Sequence, residues 1–131
     1  MEFRTKKQIR DTTSKQGFSR ITLKLDHACF TKMREISDSL ETYASEITRV
    51  LIAETINTYE QKGEFNLKVR TKLDVKDTTT NQGLSVIKLN LNKDDFNRLR
   101  CIAEENNTYA SEIIRQLMAD FVEKYEQDHS N

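Results

Sequence analysis

Arg20, Thr22 and Lys24 stand at alternate positions of the chain, and Val86, Lys88 and Asn90 do the same further on. Guanidinium and ammonium groups suit the O6 and N7 acceptors of guanine, and a carboxamide suits N6 and N7 of adenine. A threonine can bond a base edge or meet a thymine methyl, while a valine makes apolar contacts only. Side chains two residues apart share one surface in a strand. Ile21, Leu23 and Leu25 interleave with the first set, and Ile87, Leu89 and Leu91 with the second. Such alternation, rich in β-branched residues, predicts two short strands, each with one apolar and one exposed face.

Other residue groupings point to no reaction. Ser85 and Lys88 fit an S-x-x-K spacing, but a strand would turn them to opposite faces, unusable as nucleophile and base. His27 and His129 have no cluster around them, and Cys29 and Cys101 fall at non-equivalent places, so no metal site is expected. Asp94 and Asp95 suit the start of a helix, where carboxylates complement its dipole. Three glycines form no phosphate-cradling loop. Neither an enzyme nor a cofactor is expected.

The elements that would hold the two strands come in duplicate. TYASEI occurs at Thr42–Ile47 and again at Thr108–Ile113, and it belongs to a longer register. Aligned at an offset of 66 without a gap, residues 4–61 match 70–127 with 27 of 58 positions identical. After each strand stands a good N-cap, Asp26 or Asn92. A helical stripe follows: Phe30, Met33, Ile36 and Leu40, or Phe96, Leu99, Ile102 and Ala103. A polar break then precedes a longer helix, with stripes Ile47, Leu51, Ile52, Ile56, Tyr59 and Ile113, Leu117, Phe121, Val122, Tyr125. A strand and two helices in about 45 residues are too small to stay folded alone. A lone strand has open edges, and its natural partner is the other copy. About 22 linking residues span up to about 70 Å, against about 27 Å for the helix to be retraced. Both copies can therefore close within one chain.

The chain has 21 basic and 21 acidic side chains, but they are not mixed evenly. Residues 1–25 carry seven Lys/Arg against two Asp/Glu, and residues 67–100 carry eight against four. Residues 26–66 reverse this with four against eight, and 101–131 with two against seven. A fold that gathers the two basic blocks makes a basic face on a neutral protein. The N-terminus lacks the apolar segment of a secretion signal, and no apolar run is long enough to span a membrane. With no cysteine framework, a cytoplasmic protein is expected.

RITLKLDHACFTKM and VIKLNLNKDDFNRL, each followed by a helix opening on SEI, resemble the ribbon-helix-helix superfamily of Arc, MetJ and CopG. The resemblance covers residues 18–61 and 84–127, and two units in one polypeptide are similar to TraY-type relaxosome proteins. It implies a mainly α fold with a short antiparallel β-ribbon, two ribbon-helix-helix units forming a pseudo-two-fold dimer. Residues 1–17 would be a basic arm, 62–83 a linker and 128–131 a tail. The implied function is sequence-specific binding of double-stranded DNA, with the ribbon in the major groove. Arg20, Thr22, Lys24, Val86, Lys88 and Asn90 would then read bases.

TYASEI falls where the family's second helix begins, and a helix N-terminus offers unpaired N–H groups to phosphate. Thr42, Tyr43, Ala44 and Ser45, with Thr108, Tyr109, Ala110 and Ser111, would form two backbone clamps. A Thr or Tyr of each set would cap the helix, and Glu46 and Glu112 would complement its dipole. Glu41 and Asn107 occupy the site where the family usually has glycine. Arg4, Lys6, Lys7, Arg10, Lys68, Arg70 and Lys72 in the arms are expected to track phosphates or to add a second small ribbon, with a flexible tether equally open for residues 1–16 and a strand favoured over 67–76. Because the two ribbon strands differ, a non-palindromic site is expected, guanine-rich under the first strand and containing adenine or thymine under the second. The role would be a transcriptional repressor or a relaxosome accessory factor of a plasmid or other mobile element active in conjugation, with further self-association on DNA. The alternative is an antitoxin or similar module that neutralises a protein partner through the acidic stretch Glu123–Asp128.

Overall fold

The computed structural model of the chain describes residues 2–11, 18–77 and 84–129. Its elements are α1 (Lys6–Asp11), β1 (Phe18–Asp26), α2 (His27–Ser39), α3 (Ala44–Lys62), α4 (Lys72–Asp77), β2 (Leu84–Asn92), α5 (Lys93–Glu105) and α6 (Ala110–His129). Helix, strand, helix, helix thus occurs twice, and the two strands form one antiparallel sheet. Residues 12–17 and 78–83, including Gly17 and Gly83, lie outside the described residues, as do tail residues 130–131 and the side chain of Arg10.

The register of the sheet carries the symmetry of the repeat. Thr22 lies opposite Lys88, its own counterpart at the offset, while Arg20 faces Asn90 and Lys24 faces Val86. A pseudo-two-fold axis therefore passes between Thr22 and Lys88. Leu23, Leu25, Leu89 and Leu91 point inward and are buried, which a slip of one residue would reverse.

The core obeys the same axis. Leu23, Leu25, Met33, Ile36, Ile47, Leu51, Ile52 and Ile56 are buried, and so is the counterpart of each: Leu89, Leu91, Leu99, Ile102, Ile113, Leu117, Met118 and Val122. Ser37 and Thr48 are buried where the second copy has Ala103 and Ile114. Their hydroxyls donate to the carbonyls of Arg34 and Ala44, each at 2.8 Å, so neither is left unsatisfied. The copies interlock: α2 packs on α6, α5 on α3, and α3 on α6. Lys32–Glu126 at 3.1 Å and Arg98–Glu60 at 3.6 Å are the same cross-copy ion pair seen from the two ends.

Each strand ends where its cap starts a helix. Asp26 accepts from the Cys29 amide at 3.3 Å, and Asn92 accepts from Asp94 and Asp95 at 2.8 and 3.4 Å. Leu40 departs from the expected stripe: it is the C-cap of α2 and is exposed. Glu41 (φ 56°) and Asn107 (φ 53°) follow in the left-handed conformation that glycine serves at helix ends.

The strand expected over 67–76 is absent. Leu67 and Val69 are half-buried and Lys68 and Arg70 exposed, so the period-two pattern is met by an extended segment packed on the core without a ladder. From Lys72 the chain is helical, because the Thr71 hydroxyl accepts from the Asp74 amide at 3.3 Å. In the first arm Thr5 accepts from the Gln8 amide at 3.3 Å while Gln8 accepts from the Thr5 amide at 2.8 Å. That reciprocal capping box opens α1.

Since each strand finds its partner in cis, sedimentation at micromolar concentration should return 15.3 kDa. A species of twice that mass persisting on dilution would mean that the strands pair between chains. At Glu41 a side chain occupies left-handed backbone, so Glu41→Gly should raise stability by about 0.5–1 kcal/mol in urea melts. An unchanged midpoint would show that the turn carries no strain.

Candidate nucleic-acid interface

Period-two geometry places Arg20, Thr22, Lys24, Val86, Lys88 and Asn90 together on the exposed face of the ribbon. Three are cationic and none is acidic, on a chain of zero net charge. At one end the Arg20 guanidinium donates through Nε to Asn90 Oδ1 at 3.4 Å. At the other end Lys24 stands across from Val86. Such a face offers a row of donors spaced by the strand repeat.

Two arginines that sequence reasoning missed brace this ribbon. Arg49 of α3 donates to the backbone carbonyl of Asn90, and Arg115 of α6 to that of Lys24, each at 3.4 Å. Each arginine reaches the strand of the other copy. The signal was legible as a duplicated E-x-x-R, because Glu46 lies one turn before Arg49 and Glu112 one turn before Arg115.

Glu46 and Glu112 are buried, and here the expected roles change. Arg4 grips Glu46 in a fork, Nε to Oε2 at 3.0 Å and Nη2 to Oε1 at 2.8 Å, and its backbone amide adds a bond at 3.1 Å. Arg70 grips Glu112 likewise, at 2.7, 3.0 and 3.3 Å. Burial pushes both carboxyls up in pKa, but the bonds and charges of Arg4 with Arg49, and of Arg70 with Arg115, outweigh it. Both carboxyls therefore lie below their ordinary range. The carboxylates in turn hold Arg4 and Arg70 above theirs. Arg4 and Arg70, expected on phosphates, thus strap the arms to the helices.

Thr42 and Thr108 belong to the same straps. Both are fully buried and donate to the carbonyls of Arg4 and Arg70, at 2.5 and 2.6 Å. Neither is the residue next to its helix, since α3 starts at Ala44 and α6 at Ala110, and the N-cap of α3, Tyr43, makes no side-chain capping bond. The amides of Lys6 and Lys72 complete the straps by donating to the carbonyls of Glu41 and Asn107, each at 3.0 Å. Lys6 lies 5.3 Å over the Tyr43 ring and pairs with Asp38 at 3.6 Å. Lys72 lies 5.6 Å over Tyr109 and pairs with Glu104 at 2.7 Å. Tyr43 and Tyr109 are exposed beside half-buried Ala44, Ser45, Ala110 and Ser111 at the helix starts. Of the arm cations, Lys7 and Lys68 are exposed and outside these ion pairs.

The buried carboxylates make stability acid-sensitive in a defined direction. Their folded pKa values lie below the unfolded value of about 4.3, so the stabilisation is present above that pH and lost as pH falls through the folded values. Thermal melts of the natural chain should therefore fall more steeply below about pH 4.3 than those of the Glu46→Gln/Glu112→Gln double variant. Arg70→Ala should cost about 1–3 kcal/mol at neutral pH by leaving buried Glu112 with Arg115 as its one remaining arginine. Parallel acid limbs in the two proteins would remove the straps from the stability of the fold.

Compared with protein-family models, with curated proteins and with solved structures, the chain matches none.

Proposed function

We propose that the chain is a sequence-specific double-stranded DNA-binding protein, two ribbon-helix-helix units in one polypeptide with the ribbon in the major groove. The observation that carries this reading is the outer face of the ribbon: Arg20, Lys24 and Lys88 with Thr22, Asn90 and Val86, three cations and no carboxylate among the six, with Asp26 at the strand's end turned to capping α2. A two-stranded ribbon fits the major groove, where each base pair has its own donor and acceptor pattern. The starts of α3 and α6 flank the ribbon through Arg49 and Arg115, and their amides with exposed Tyr43 and Tyr109 would hold the flanking backbone. In that role the protein acts as a repressor or as a relaxosome accessory factor of a mobile element. The acidic stretch of α6 does not favour the antitoxin reading, since Glu126 is already paired with Lys32.

Selection from random duplexes tests this directly and should recover one preferred site. Lys24→Ala should cost about 1–3 kcal/mol on that site and little on random DNA. Lys68→Ala should weaken both alike and flatten the salt slope by roughly one. Equal losses on both DNAs for Lys24→Ala would show that the ribbon does not read bases.

A further inference from the structure

The register pairs the reading residues by ends. Arg20 stands beside Asn90 at one end and Lys24 beside Val86 at the other, with Thr22 and Lys88 at the pseudo-two-fold axis between them. The ends lie about 13 Å apart along the strand, or about four base pairs of duplex. Each end draws on both strands and would face its own base pairs.

Each end is also tied to one long helix by one arginine. Arg49 of α3 donates from Nη1 to the carbonyl of Asn90 and from Nη2 to Glu46 Oε1, both at 3.4 Å. Arg115 of α6 donates from Nη1 to the carbonyl of Lys24 at 3.4 Å, from Nε to Glu112 Oε1 at 3.1 Å and from Nη2 to Ser111 Oγ at 3.4 Å. Lys24 and Asn90 are counterparts at the offset of 66, and both turn their side chains outward. The arginine side chains are 22% exposed and each carboxylate 5%, held a second time by Arg4 or Arg70. Burial of Leu23, Leu25, Leu89 and Leu91 holds the inner face of the ribbon but has no direction. A hydrogen bond to a strand carbonyl does have one, and it fixes where the outward residue sits.

Resting on the DNA-binding reading above, we infer that Arg49 and Arg115 are positioning residues for base reading, each serving one end of the ribbon. Arg49 sets the reach of Asn90, with Arg20 beside it, from the first turns of α3. Arg115 does the same for Lys24, with Val86 beside it, from α6. A side chain that reads a base edge must be held to within about 0.5 Å. Losing one tie therefore blurs one end and leaves the other sharp. Neither arginine has to touch DNA for this.

Random-duplex selection with the natural chain, Arg49→Met and Arg115→Met tests the roles, with Asn90→Ala and Lys24→Ala marking the base pairs under each end. Circular dichroism checks that each variant keeps its helices. Should a methionine variant unfold, Arg49→Met/Glu46→Gln or Arg115→Met/Glu112→Gln repeats the test with the buried charge removed. Arg49→Met should relax preference by at least about fivefold at the base pairs marked by Asn90→Ala, and by less than about twofold at those marked by Lys24→Ala. Arg115→Met should do the reverse. Unchanged preference in either variant, or both variants relaxing the same base pairs, would overturn the positioning role. Equal losses on preferred and random DNA with a flatter salt slope would also overturn it, since the arginines would then be phosphate contacts. If Asn90→Ala and Lys24→Ala still relax their own base pairs in those cases, DNA reading stands and the positioning role alone falls. If no sequence is enriched by any of the proteins, both fall together.

Discussion

Among the described residues each strand has one partner of its own kind, and the antiparallel pairing centred on Thr22 and Lys88 governs everything else. The register turns four leucines into the core and sends the polar set outward. It sets each copy's helices on those of the other, so that α2 meets α6 and α5 meets α3. A core assembled this way belongs to neither copy. The hydrophobic term that stabilises the chain is therefore inseparable from the pairing of the strands.

A second constraint is electrostatic and recurs at both ends of the axis. A buried carboxylate is unfavourable unless its oxygens are satisfied, and Glu46 and Glu112 are each met by two arginines. One arginine comes from the preceding arm and the other reaches on to the opposite strand. The arm, the start of the long helix and the edge of the ribbon are thereby joined through one carboxylate. Among the described residues no buried side-chain polar atom lacks a partner, as such a network requires.

Near-perfect symmetry in the scaffold contrasts with its absence on the ribbon face. The buried positions repeat almost residue for residue, whereas Arg20, Thr22 and Lys24 correspond to Val86, Lys88 and Asn90. Core positions are held by volume and burial, and a change in one copy disturbs its neighbours in the other. Exposed strand positions carry no such constraint and can diverge. On the proposed reading that divergence lets a single chain treat the two halves of its site differently, which identical subunits cannot do.

Periodicity and duplication are local properties, so they were legible without coordinates. The two strands, the two helices after each, the caps at Asp26 and Asn92, and the outward set of six all follow from spacing and residue type, whereas the left-handed turn at Glu41, a residue type ill suited to it, is a finding of the structure. Among the described residues no helix is long and apolar enough to cross a membrane, in line with the hydropathy of the chain. The arms misled because period two in Leu67–Val69 describes a segment half-buried on one side, whether or not it has a strand beside it. Arg4 and Arg70 looked like phosphate-binding cations because nothing in their neighbourhood names a partner 42 residues away. The sequence alone determined which elements form and which faces are apolar, since those depend on neighbours a few positions apart. Tertiary structure alone decided which charges are spent inside the protein, which threonines tie down the arms, and that Asn90 turns its oxygen to Arg20. Each of these is a contact between segments that only the closed ribbon brings together.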